Sequence, residues 1–203
     1  RGLGDVYKRQ VLLNAFNAIE YGEQHQEKDL MNMGNEILES FLQHGFTSAG
    51  YFYDDVNFNK GFPTEEKVVH SIRQQSEAVY AILLYLKYEK SQGRKHTEWE
   101  NHIKKILDGF IKLQKKDGNF ARKFHDDGSD IDASGGSTSS ATSALVMGYR
   151  YFGKKQYLEA ARRTIDYLEK NIISKSDYFS STLDANCEDK EAAISAVTAN
   201  YYM

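Results

Sequence analysis

Two kinds of helical segment alternate along the chain. The first kind is nearly free of charge. Residues 11–19, 137–149 and 192–203 carry no charged side chain, and 72–86 carries only Arg73 and Glu77. A helix without a charged face is expected to be buried on all sides. The second kind is amphipathic. Trp99, Ile103, Ile106, Leu107 and Phe110 recur at helical spacing opposite Glu98, Glu100, Lys104, Lys105 and Asp108. Tyr157, Ala161, Ile165, Leu168 and Ile172 repeat that stripe, and Leu30, Ile37, Leu38 and Phe41 precede it. Such helices face water on one side. The pattern predicts inner helices over 11–21, 71–88, 137–152 and 190–203, and outer helices over 27–43, 97–115 and 156–172.

The outer helices superpose as a repeat. Trp99 aligns with Tyr157 and Asp108 with Asp166 at an offset of 58 residues, and Leu30 aligns with Trp99 at 69. Three inner–outer hairpins and the start of a fourth are therefore expected. Each is unable to bury its apolar face alone and must stack on its neighbours. Inner helices pass to outer ones through short links such as Gly153-Lys154-Lys155. The returns are long, over 44–70, 114–136 and 174–189, and all three fall at the end of the array where inner helices begin. Long connections in a compact domain are usually functional.

Residues 1–10, Arg1-Gly2-Leu3-Gly4-Asp5-Val6-Tyr7-Lys8-Arg9-Gln10, resemble translated sequencing-adapter read-through and are expected to be a non-native leader. Residues 11–203 are expected to form a single α/α-hairpin domain truncated at both ends, since the chain closes within the apolar run Asn200-Tyr201-Tyr202-Met203. The length suits one domain. The formal net charge of -3 gives no drive toward nucleic acid or an acidic membrane, and no apolar run is long enough to span a bilayer. One cysteine, Cys187, excludes an internal disulfide, and the six histidines show no paired metal-ligand spacing. No phosphate loop, dinucleotide fingerprint or nucleophile elbow is present, so no metal and no cofactor is expected. Compartment and oligomeric state are not legible.

Alternating inner and outer helices with long loops on one rim resemble the six-hairpin glycosidases. The likeness covers residues 11–203, about half of such a barrel. The stretch Thr182-Leu183-Asp184-Ala185-Asn186-Cys187-Glu188-Asp189-Lys190-Glu191-Ala192 is similar to a loop-to-helix segment of uncharacterised bacterial members. The resemblance implies an all-α fold, an α/α toroid of helical hairpins amounting to about half of an (α/α)6 barrel. It also implies a carbohydrate substrate and glycoside hydrolysis by carboxylate general acid/base chemistry.

Glycoside hydrolysis needs two carboxyl groups facing each other across a cleft. Asp184 and Glu188, four residues apart before an inner helix, are candidates, and so is Asp132, the aspartate of Asp126-Asp127-Gly128-Ser129-Asp130-Ile131-Asp132 closest to the next inner helix. Helix capping accounts for Asp184 and Glu188 equally well and is the favoured reading of Glu191. Asp126, Asp127 and Asp130 fit a solvated turn. Tyr53, Asp55, Gln75, Phe124 and Asp189 are the expected substrate contacts, because aromatic rings stack on sugar faces and carboxylates and amides bind hydroxyls. The aromatics of Tyr51-Phe52-Tyr53 suit packing onto the core as well. Asp55, Asp132, Asp184 and Glu188 should converge on one cleft with Tyr53 and Phe124, and crowding should raise the pKa of at least one carboxyl. Lyase or epimerase chemistry on uronic sugars is a near alternative. So is a non-catalytic helical-repeat binding module. Gln114-Lys115-Lys116-Asp117-Gly118-Asn119-Phe120 resembles the loop repeat of triterpene cyclases, with Phe120 in place of Trp, and such a toroid would hold an apolar, aromatic-lined cavity.

Overall fold

The structure, a computed structural model, describes residues 10–54, 68–134, 136–177 and 190–203. Among these residues are seven α-helices: α1 Gln10–His25, α2 Lys28–His44, α3 Ile72–Ser91, α4 Thr97–Leu113, α5 Thr138–Phe152, α6 Lys155–Asn171 and α7 Lys190–Tyr202. A 3-10 turn, Ile173–Lys175, follows α6. The helices fall where the periodicity places them. The outer helices α2, α4 and α6 are each 17 residues long. They begin at residues 28, 97 and 155, which reproduces the offsets of 69 and 58.

Helices α1, α3, α5 and α7 pack side by side in that order, and α2, α4 and α6 lie against them. The outer helices bury one stripe each. Trp99, Ile103, Ile106, Leu107 and Phe110 of α4 are all buried, each worth roughly 1.5–3 kcal/mol of hydrophobic stabilisation. The inner helices divide into two groups. Helices α3 and α5 bury most of their lengths, including Ile72, Val79, Ile82 and Leu86 of α3 and Ala141, Ala144 and Leu145 of α5. The terminal helices do not follow the expectation for charge-free helices. Leu13 of α1 and Ile194, Val197 and Tyr201 of α7 are exposed. The reason is their place in the row: among the described residues α3 and α5 have an inner helix on each side, whereas α1 has one inner neighbour, α3, and α7 has one, α5. Absence of charge allows burial, but only a neighbour supplies it. No helix among the described residues is long and apolar enough to cross a membrane.

Local chemistry sets the hairpin turns. Gly153 ends α5 in the left-handed conformation (φ 72°), donating its N–H to the Tyr149 carbonyl, and α6 starts two residues later. Asp108 of α4 holds that start, accepting hydrogen bonds from Lys154 Nζ (2.9 Å) and the Tyr157 hydroxyl (2.7 Å). The Gln114–Phe120 segment is also a fastener. Gln114 Nε2 donates to the Ala160 carbonyl (2.9 Å) and to Thr164 Oγ1 (3.0 Å), which binds the turn to α6.

The expectation of helices and irregular loops alone needs one correction. Three short strands, β1 Val69–Ser71, β2 Lys123–His125 and β3 Asp130–Asp132, form an antiparallel sheet in the order β1-β2-β3. His70 pairs with Phe124, and Lys123 with Asp132. The sheet joins the connection before α3 to the connection before α5. It leaves little periodicity to read, because each strand is only three residues long and the β1–β2 pairing joins residues more than fifty apart.

Candidate functional site

The sheet fixes two of the three long connections at the N-terminal ends of α3 and α5. Its inner support is a buried polar cluster. The segment 45–53 folds back on itself through an isolated bridge between Phe46 and Phe52. Thr47 N–H donates to the Tyr51 carbonyl (2.8 Å) and Tyr53 N–H to the Gly45 carbonyl (2.9 Å). This leaves the N–H and carbonyl of Phe52, a fully buried residue, directed away from the bridge. Gln75 of α3 takes both: Phe52 N–H donates to Gln75 Oε1 (3.0 Å), and Gln75 Nε2 donates to the Phe52 carbonyl (2.7 Å) and to Asp54 Oδ1 (2.8 Å). Asp54 in turn accepts the N–H of Ser71, the residue that caps α3 (2.7 Å).

His70 closes the cluster. It is fully buried, with Nε2 2.8 Å from Asp126 Oδ1 and Nδ1 3.4 Å from Gln75 Nε2. The short Nε2 contact fits a tautomer in which Nε2–H donates to Asp126. Asp126 also accepts the Thr47 hydroxyl (2.6 Å). Burial pushes the Asp126 carboxyl up, but the hydrogen bonds from Thr47 and His70 outweigh it and hold it below the usual carboxylate range. Tyr51 and Phe124 pack on the His70 ring, with centroids 5.1 and 5.2 Å away.

Several expected substrate contacts are thereby reassigned. Gln75 is wholly buried and spends its amide on Phe52 and Asp54, so it cannot bind substrate. Phe124 is 1% exposed and forms core under the sheet, so it offers no face to a sugar. Tyr53 is half-buried on the extended segment. Asp126, expected in a solvated turn, is instead the anchor of His70. Nothing in the one-dimensional pattern marks Asp54, His70 and Asp126 as partners. A lone histidine and one aspartate of four acquire meaning only when the sheet joins them.

Asp132, at the end of β3, is partly exposed. Its Oδ1 accepts the Ser134 hydroxyl (2.6 Å) and N–H (3.0 Å), and its Oδ2 lies 3.3 Å from Arg122 Nη1. Burial raises its pKa, but the Ser134 hydrogen bonds and the Arg122 and Lys123 charges prevail, and the carboxyl is held below its ordinary range. An ionised carboxylate is suited to act as base or nucleophile and unsuited to donate a proton near neutrality. Arg122 stands at the start of α3, since its carbonyl accepts the Ile72 N–H (3.2 Å). Asp55, Asp184, Glu188 and Asp189 lie outside the described residues, so convergence can be followed only for Asp132, Tyr53 and Phe124. Of these, Asp132 and Phe124 share the sheet, with Phe124 in its buried layer.

Beyond the sheet, a small cleft of about 100 Å³ opens between α3, α5 and α7. Glu77, Ser139, Ser140, Ser143, Ser195 and Thr198 line it. Glu77 is paired with Arg73 at 2.8 Å. Around this cleft and the first turns of α3 and α5, the hydroxyls of Ser76, Ser137, Ser139, Ser140 and Thr142 are shielded from solvent and have no hydrogen-bond partner among the described residues. Each such group costs about 1–3 kcal/mol unless something bonds to it. Of these residues, Ser139 and Ser140 also line the cleft.

Comparison with protein-family models and with curated proteins finds no match. The class defined by fold and site together is a helical-hairpin array with a polar cleft at the sheet-bearing end of its inner helices.

Proposed function

We propose that the chain is a carbohydrate-processing enzyme, a glycoside hydrolase acting through carboxylates at the rim of an α/α toroid. The observation that carries this reading is the hydroxyl-lined cleft. Two of its lining serines, Ser139 and Ser140, have no hydrogen-bond partner among the described residues, which suits a ligand rich in hydroxyl groups, and the sheet holds an ionised Asp132 at the same end of the helices. Asp132 takes the role of base or nucleophile. The proton donor then falls to Asp184 or Glu188. An apolar terpenoid substrate is disfavoured by the same cleft, which presents hydroxyls and Glu77 where a cyclase needs aromatic rings.

The test is hydrolysis of a panel of aryl glycosides and uronides by the protein and by Asp132→Asn. A substrate turned over by the wild type should lose about 10²- to 10⁴-fold in kcat, with the far-ultraviolet circular dichroism unchanged. Turnover of Asp132→Asn within threefold of wild type would remove Asp132 from the chemistry. Hydrolysis of no member of the panel, with binding of the same sugars intact, would favour the non-catalytic binding module.

A further inference from the structure

A second recess lies against the outer helix α4, away from the cleft between α3, α5 and α7. It encloses about 290 Å³ between α4, the 49–51 segment and the turn of the β2–β3 hairpin. That size is near the lower end for small-molecule sites, about 300 Å³. Lys105, Gly109 and Lys112 form one stripe of α4, at positions i, i+4 and i+7, and all three line it. Among the described residues neither lysine has an ion-pair partner.

Two glycines shape this recess. A Cβ on Gly109 would come within 2.6 Å of the Tyr51 hydroxyl, so glycine lets that hydroxyl rest against the helix between the two lysines. Glycine inside a helix costs about 1 kcal/mol relative to alanine, and here the close approach accounts for it. A Cβ on Gly50 (φ 92°) would meet Nζ, Cε and Cδ of Lys105 at 2.6–2.9 Å, so the Lys105 stem is laid along the backbone of the 49–51 segment. The opposite wall is acidic. Asp126 and Asp127 line it, and Asp127 uses its Oδ1 on Ser129 while its Oδ2 has no partner among the described residues. Burial, and next the Asp126 charge, push the Tyr51 phenol up to about 12, so it remains a hydrogen-bond donor at neutral pH.

We propose that this recess binds a small hydroxylated anion, a sugar acid or a sugar phosphate, with its anionic group between Lys105, Lys112 and the Tyr51 hydroxyl and its hydroxyls on Asp127. The wall carrying two cations and a phenol selects the charge. The carboxylate wall repels a bare anion and accepts hydrogen bonds from hydroxyls, so a ligand needs both features to fill the site. The site is separate from the cleft between α3, α5 and α7, and the inference stands whether or not that cleft performs hydrolysis.

The experiment is isothermal titration calorimetry of the full chain at low ionic strength with glucuronate, glucose 6-phosphate, glucose and inorganic phosphate. At least one of the two sugar anions should bind at least tenfold more tightly than either glucose or phosphate, and which one does so decides between carboxylate and phosphate. Lys112→Met should weaken that binding about tenfold or more, the loss expected for one charge-assisted hydrogen bond. Lys112 is exposed, so its replacement leaves the fold in place, to be checked by circular dichroism. Asp127→Asn should weaken the sugar anion while leaving or improving phosphate. Binding of phosphate or glucose as tight as that of the sugar anions, no binding of either sugar anion, or an unchanged affinity in Lys112→Met would each overturn the proposal.

Discussion

Replacing Gln75 separates a structural role from a substrate contact. Gln75→Met keeps the side-chain volume and removes both hydrogen-bonding ends. The N–H and carbonyl of Phe52 then lose their partners in a fully buried setting, and Asp54 loses one of its donors. Two stranded backbone groups at about 1–3 kcal/mol each give about 2–6 kcal/mol, and partial relaxation places the expected loss near ~3 kcal/mol. For a chain of this size each kcal/mol moves the midpoint by about 2–4 °C, so Tm should fall by about 6–12 °C. Gln75→Glu should cost at least as much. It keeps the acceptor for Phe52 N–H but turns a carboxylate oxygen toward the Phe52 carbonyl and Asp54. Urea and thermal unfolding followed by circular dichroism measure both. A loss below about 0.5 kcal/mol in Gln75→Met, together with weakened sugar binding, would refute the clamp and return Gln75 to the site.

The carboxyls of Glu89, Asp108 and Asp126 all lie below their ordinary values in the folded protein; for Glu89, burial is outweighed by hydrogen bonds from Arg94 and His96. The unfolded chain therefore binds more protons in acid, so stability is complete above about pH 4.5 and declines as pH falls through the folded values. Urea midpoints between roughly pH 3 and pH 6 should show this slope, and Glu89→Gln should flatten it. Gly118→Ala should destabilise by about 1–3 kcal/mol, because its φ is 94° and a Cβ would fall 2.0 Å from the Arg163 carbonyl oxygen of α6. Gly93→Ala is the control: φ is 75° but nothing lies within 4 Å, so only the left-handed cost of roughly 1–2 kcal/mol remains, and equal losses at both sites would deny the packing of that turn on α6. Ile194 and Val197 are 62% and 71% exposed on α7, so Val197→Lys should leave stability unchanged within about 0.5 kcal/mol by urea unfolding.

Helix positions and the hairpin repeat are written locally. A stripe such as Trp99, Ile103, Ile106 and Phe110 recurs every three or four residues, and the physics that reads it, one face turned to a core, acts over a single helix. Gly153 and the short links between inner and outer helices are local in the same sense. What lies between helices was not legible in this way. The sequence offered Asp132 as a candidate and the structure places it at the sheet. It offered Gln75 and Phe124 as substrate contacts, and both are consumed by the core. Their fates depend on Phe52, Asp54 and His70, which reach them only through a bridge and a three-stranded sheet joining distant connections. The same distinction explains α1 and α7. Their sequences carry the charge-free pattern of buried helices, yet their burial is decided by how many inner helices stand beside them, and no pattern within one helix encodes the presence of a neighbour. Local periodicity determined where this chain is helical. Contacts between segments 21 to 56 residues apart decided which of its polar side chains hold the fold together and which remain free to meet a ligand.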